Sequence, residues 1–275
     1  SPSPAFLTLP VPHDLVCTET ADLYGWNGVS WQWLPSHISS DAMTLSADLE
    51  RVPPLLIIAQ TQTAQPRIGL GVSAAGEGFG TTELNPDTIT VGRLTLTGEG
   101  GVVGEIPRTG ASAGQGPRML LSLSNIIDDV VRSDLVDNLI ISDQLRKTHI
   151  QNVLAVIRSA GYDGVEIAYG GVDAGLRPEL TSFIAELGQA LREADKLLAV
   201  RVDTPVRGGV GWHTGAYDWS ALGQIVDLLR VPAMTDPAAY APGGDMDRLL
   251  SWATGEVNRK KIDLAIPTYS HLLVD

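Results

Sequence analysis

Residues Tyr162 to Val172, YDGVEIAYGGV, concentrate the groups in this chain that could do chemistry. Val165, Ile167 and Tyr169 alternate with Glu166 and Ala168, the period of a strand whose two faces differ. Glu166, Ala168 and Gly170 share one face. A carboxylate at the upper end of such a face could act as a general acid or orient a ligand. Here the two upper positions carry a methyl group and a hydrogen atom. Glu166 lies roughly 13 Å below Gly170, at about 3.3 Å per residue, so it is expected as a buried carboxylate paired within the fold. Other carboxylates fall where strands are predicted to end, at Asp173, Asp203 and Asp236. Each can equally be a cap, a turn residue or a solvated charge.

The stretch resembles the fourth-strand signature of the family 18 glycoside hydrolases, the chitinase-like barrels, D-G-x-x-x-D-x-E. Asp163 and Gly164 match the opening pair, and Glu166 takes a place that is often Asp. Ala168 stands where the family has an Asp, and Gly170 where it has the catalytic Glu. The resemblance implies a (β/α)8-type TIM barrel and a glycan ligand. In that family the Glu protonates the leaving oxygen, the sugar's own acetamido carbonyl attacks, and the Asp orients that group. General acid catalysis is worth about two to four powers of ten, and neither Ala168 nor Gly170 can supply it. No catalytic residue, metal ligand or cofactor is therefore expected, and no other acid is expected in the space above Gly170.

The expected ligand-binding residues are Glu166, Asp203 and Asp236, with Tyr169, Trp212 and Tyr269 as stacking rings. The favoured reading is a non-catalytic barrel, secreted or at the cell surface, that binds a glycan or cell-wall polysaccharide or serves as a surface structural domain. The alternatives are an active glycosidase on peptidoglycan or another N-acetylated glycan using displaced carboxylates, and a subunit of a surface assembly.

Several elements must position these groups. Ser142 is placed to cap a helix over 143–160, with Leu145, Ile150, Val153, Leu154 and Ile157 on its apolar stripe. Pro178 suits the first turn of the next helix, and Asp218 suits the start of another. Buried strands are predicted at 68–72, 119–125, 197–202, 228–236 and 262–269. A short strand at 81–85 and a hairpin over 91–106 precede a Gly-rich linker at 110–116. A helix is predicted over 128–141 and another over 245–258. With no eighth strand before Asp275, the barrel reads as incomplete, as in a fragment of a longer polypeptide with further C-terminal domains, or one completed by another segment or by self-association.

The first 62 residues read as a separate β-rich module and 63–275 as the barrel. Residues 1 to about 15 are Pro-rich and extended. Asn27-Gly28 between Asp22–Trp26 and Val29–Leu34 is a hairpin signal, Leu15–Thr20 reads as a further strand, and Leu55–Ile58 could close the module. Trp31 and Trp33 share a strand face, with Trp26 across the turn. They can supply a core or a platform for a sugar ring.

Composition excludes other classes. The 275 residues carry 32 acidic and 19 basic side chains, a net charge of -13, which argues against nucleic acid. No apolar run is long enough to span a bilayer. Cys17 alone makes neither a disulfide nor a zinc site, and His149 reads as a bonded helix residue. The Ser-Pro-Ser-Pro start reads as that of a processed chain.

Overall fold

The computed structural model describes residues 5–60, 67–72, 86–106, 116–209 and 211–266. The predicted strand at 81–85, most of the 110–116 linker and Tyr269 lie outside them. The chain divides into two compact units, residues 1–66 with 238–260, and residues 67–237 with 261–275.

The first unit holds β1 (Ala5–Pro10), β2 (Ala21–Trp26), β3 (Trp31–Leu34), β4 (His37–Ile38), β5 (Thr44–Leu49) and β6 (Leu56–Gln60). They form two three-stranded antiparallel sheets, β1-β5-β4 and β3-β2-β6. Leu23, Leu45, Ala47 and Leu49 form one core between them, with Leu7, Leu9, Leu34, Leu56 and Ile58 packed on it. Sequence reading found the β2–β3 hairpin and the closing strand but not β1, β4 or β5. Leu15–Thr20 is not a strand, since only a short 3-10 turn forms at Thr18–Thr20. The hairpin turn also has four residues rather than two. Asn27 Oδ1 accepts from the backbone N–H of Val29 at 2.9 Å and of Ser30 at 2.8 Å, a side-chain closure that adds to the backbone bond from Asn27 N to Ser30 O at 3.2 Å.

The second unit is a near-closed parallel barrel. Its strands are β7 (Gly69–Val72), β8 (Thr88–Leu96), β10 (Arg118–Ser124), β13 (Gly164–Ala168), β14 (Leu197–Arg201), β17 (Leu228–Pro232) and β18 (Ile262–Ala265). They run in the order β18-β17-β14-β13-β10-β8-β7, seven parallel strands among the described residues. The predicted 91–106 hairpin is β8 paired antiparallel with the short β9 (Val102–Val103). After β10 the chain makes a small hairpin, β11 (Ile126–Ile127) with β12 (Val130–Val131). Its turn residues Asp128 and Asp129 have φ of 48° and 62°, which is why the helix predicted from 128 starts later. That helix is α1 (Ser133–Ile141), followed by α2 (Asp143–Ala160).

Ser142 caps α2 by accepting from Leu145 N at 3.3 Å, and Gly161 ends it with φ 76°. Then come α3 (Arg177–Glu193), with Pro178 in its first turn, the β15–β16 hairpin (Val206–Arg207 with Trp212–His213) and α4 (Trp219–Ile225). Asp218 caps α4, accepting from Ala221 N at 3.0 Å. After β17 the chain enters α5 (Asp245–Glu256), which packs in the first unit, where Gly255 O accepts from Ser36 N at 2.9 Å. The contiguous division at residue 62 read from sequence therefore does not describe residues 238–260. Among the described residues no helix is long and apolar enough to cross a membrane.

Gly164 opens the central strand for a steric reason. A Cβ there would lie 2.3 Å from Leu197 O and 2.8 Å from Leu120 Cδ2. The backbone carbonyl of β14 cannot retreat without breaking the β13–β14 ladder. Gly164→Ala is expected to lower unfolding free energy by about 1–3 kcal/mol, read as a lower urea midpoint. An unchanged midpoint would mean that the two strands separate freely here.

Candidate functional site

Parallel pairing puts Ser122 beside Glu166 and Ser124 beside Ala168, so these four side chains face the barrel interior together. The base of the interior is apolar, with Leu120, Ala199 and Leu228 in one cluster. Above it lies an ionic layer. Glu166 is 2% exposed and ion-paired with Arg230 Nη1, itself a buried residue. Ser122 Oγ donates to Glu166 Oε1 at 3.0 Å, and Arg201 Nη2 stands 3.8 Å away. Arg230 also donates to Thr90 Oγ1 at 2.6 Å, and its Nε lies 3.5 Å from Asp263 Oδ2. Glu166 is thus the buried, paired carboxylate that its depth implied. Its oxygens are engaged by protein groups, so it is not open to a ligand.

The layer above is the mouth. Asn125, fully buried, clamps Gly170 from the end of β10. Its Oδ1 accepts from Gly170 N at 2.9 Å and its Nδ2 donates to Gly170 O at 2.9 Å. On the other side Asp203, two residues past β14, accepts from Gly171 N at 3.0 Å through Oδ2. A Cβ built on Gly170 would lie 3.2 Å from Asp203 Oδ1. An acid does stand over Gly170, contrary to the expectation that none would. It comes from the next strand, because the chain past β14 turns inward across the small residues that end β13. Beside Ala168, Ser124 Oγ is buried and has no hydrogen-bond partner among the described residues.

Of the other predicted residues, Tyr169 is the clearest correction. It is 1% exposed, on the outer face of β13, stacked on Phe183 with ring centroids 6.4 Å apart. Its hydroxyl meets His149 Nε2 at 2.7 Å, so it presents no ring face to a ligand. Period-2 geometry sends it away from Ala168 and Gly170 and into the helix layer. His149 Nδ1 bonds Gly100 O at 3.0 Å. A carbonyl only accepts, so the proton sits on Nδ1, Nε2 is the acceptor, and Tyr169 donates. Burial pushes the Tyr169 hydroxyl well above the usual phenol range. It does the same for Tyr217, helped by the charge of Asp203. Tyr217, buried in the loop after β16, donates to Tyr169 O and so ties that loop to the end of β13. Trp212 is half-buried on the β15–β16 hairpin, in the same loop as Asp203, and Asp236 is exposed past β17. Asp173 caps the turn that follows β13, accepting from Gly175 N at 2.7 Å.

Sequence reading also missed an opening beside the mouth. A cavity of about 500 Å³ lies beyond the ends of β8 and β10, lined by Thr95, Thr97, Val103, Ile126, Ile127 and Arg132, among others. None of the predicted ligand residues that the structure describes lines it. Arg132 is aimed by Asp134 through two parallel bonds of 2.8 and 2.7 Å, and its backbone N–H donates to Asn125 O at 2.8 Å. The alternation of Thr95 and Thr97 was the available signal, since period 2 puts two hydroxyls on one side of a strand end.

No protein-family model matches the chain. A Bacillus subtilis (strain 168) protein, YdhD, named for a sporulation-specific glycosylase role, is 22% identical over 158 residues, which is 55% of this chain and 37% of that protein. The chain thus spans little more than a third of that relative. Among solved structures, a chitinase from Chromobacterium violaceum superimposes with a TM-score of 0.59 at 20% identity, covering 74% of this chain and 68% of that one. The spore cortex-lytic enzyme SleL of Bacillus megaterium gives 0.61 at 14% identity, over 78% of this chain and 53% of that one.

Proposed function

We propose, for a chain whose barrel has the chitinase-like family 18 fold, that the mouth binds a glycan without cleaving it. What supports this reading is the line that runs up β13 past its end, where the motif resemblance aligns Ala168 with that family's acetamido-orienting Asp and Gly170 with its acid. Loss of both groups need not abolish binding, because barrel mouths hold ligands with the residues of their loops. The neighbouring cavity, with an apolar floor, two threonine hydroxyls and one oriented guanidinium, has the make-up of a small-molecule site. Trp212, half-buried on the β15–β16 hairpin, would add a ring at the rim. The names of the similar proteins, a chitinase and a spore cortex-lytic enzyme, point to an N-acetylated glycan of a wall or coat. They support a protein that works outside the cell or at its surface.

Asp203 favours a second reading, a glycosidase that takes its carboxylate from β14. One carboxylate cannot be both proton donor and acetamido clamp, and Oδ2 is already held by Gly171 N. Binding without turnover is therefore the conclusion. The test is calorimetry with chitohexaose and soluble peptidoglycan fragments, beside a reducing-end assay on the same samples. Binding to at least one, weakened about tenfold by Arg132→Ala, with no new reducing ends, is expected. Turnover that Asp203→Asn abolishes would replace this reading with the second. Neither binding nor turnover would leave a building block of an assembly.

A further inference from the structure

The aromatic hairpin of the first unit has no part in the barrel chemistry. Register places Trp26 opposite Trp31 and Tyr24 opposite both Trp33 and Ile57, so all five side chains stand on one face of the β3-β2-β6 sheet. The other face holds Leu23, Leu34 and Ile58 in the core. At one end the aromatic face is closed, because Trp33 is buried and its indole N–H donates to Asp22 Oδ1 at 3.2 Å. At the other end it is open, with Trp31 41% and Ile57 39% exposed. Trp26 and Trp31 meet edge to face, centroids 5.4 Å apart and planes at 62°. Among the described residues neither of their indole N–H groups has a partner within the protein. Two large rings thus offer apolar faces and unused donors together.

We propose that this face is a second glycan site, one that takes the pyranose rings of an uncharged polysaccharide chain. It is independent of the barrel reading. Charge selects the occupant. The three strands contribute one charged residue, Asp22, and Arg259 Nη2 lies 3.2 Å from it. On a chain of net charge -13, a neutral patch gives an anionic polymer only repulsion and a cationic one no carboxylate to meet. A sugar ring matches what is left. Its axial C–H face lies on an indole, and its hydroxyls accept from the free indole N–H groups at the ring edge. Because the two rings are inclined, they cradle a single soluble chain rather than a flat crystalline surface.

The experiment is calorimetric titration with chitohexaose and, separately, cellohexaose, using the Arg132→Ala chain so that the barrel cavity is weakened. Binding of at least one is expected, with affinity reduced about tenfold or more by adding Trp31→Ala, and partly recovered by Trp31→Phe. Polygalacturonate is expected not to bind there. Trp31 is exposed, so the far-ultraviolet circular dichroism should stay unchanged. Equal affinity with and without Trp31→Ala would overturn the proposal, as would no binding of either oligosaccharide. So would a dimer, seen by analytical ultracentrifugation, that Trp31→Ala dissolves, since the occupant would then be a second copy of the chain. If Arg132→Ala leaves chitohexaose affinity unchanged while Trp31→Ala removes it, the barrel proposal fails and this one stands.

Discussion

Arg230→Met is expected to lower the unfolding free energy by about 3–5 kcal/mol, because it leaves the Glu166 carboxylate charged, buried and without its main partner. Arg201 stands 3.8 Å from Glu166, but its side chain is 47% exposed, so water screens much of what it could offer. The reverse change should be milder. In Glu166→Gln the guanidinium still has Asp263 at 3.5 Å and Thr90 at 2.6 Å, and the amide can still accept from Ser122. Removing both charges together, as Glu166→Leu with Arg230→Met, should recover much of the loss, since apolar pairs of similar volume often replace buried ion pairs without penalty. Urea unfolding of the unaltered chain, Arg230→Met, Glu166→Leu and the double variant closes the cycle. A double variant as unstable as Arg230→Met alone would show that shape, not charge, sets the cost.

The second large effect is on pH. Burial pushes His149 down to about 4 from its ordinary 6.5, against a smaller upward pull from the bond to Gly100 O. The folded chain therefore keeps the ring neutral where the unfolded chain protonates it. Above about pH 6.5 both states are neutral, and this residue adds no pH dependence. As pH falls from 6.5 to 4 the unfolded state gains a proton that the folded state refuses, and stability drops by roughly 3 kcal/mol. Below about 4 both states are protonated and the effect levels off. In the His149→Gln chain, unfolding midpoints measured between pH 4 and 8 should lose that component of the slope. An unaltered slope would place the ring in contact with water. Loosening His149 also frees the Tyr169 hydroxyl and the Gly100 loop, so the opening should show first as faster hydrogen exchange in α2.

Much of the barrel could be read directly from residue order. The strands at 197–202, 228–236 and 262–269 are short apolar runs that each follow an amphipathic helix, and that alternation admits few arrangements other than parallel strands under a helix layer. Caps and breakers were legible because they act locally. Ser142, Pro178 and Asp218 each work within four residues of themselves. The depth and burial of Glu166 followed from counting along a strand. The β11–β12 hairpin was not legible, because 126–131 carries enough apolar residues to pass for the first turn of a helix, and only the positive φ at Asp128 and Asp129 decides against it. The strands β1, β4 and β5 were hidden for another reason. Their partners lie up to 44 residues away, as with Ala5 and Leu49, and a strand of that kind is defined by pairing rather than by its own pattern.

The amino-acid order by itself determined the repeating strand and helix units, the face on which Glu166, Ala168 and Gly170 stand, and the absence of side-chain chemistry at the top of that face. These depend on periods of 2 and 3.6 residues, which are properties of the local backbone. Tertiary structure alone decided that Tyr169 is sealed against His149 and Phe183, that Arg230 neutralises Glu166 from two strands away, and that Asp203 leans over Gly170 from the neighbouring loop. Each of these is a meeting of residues about 14 to 64 positions apart, and distance along a chain carries no information about which way a loop will turn.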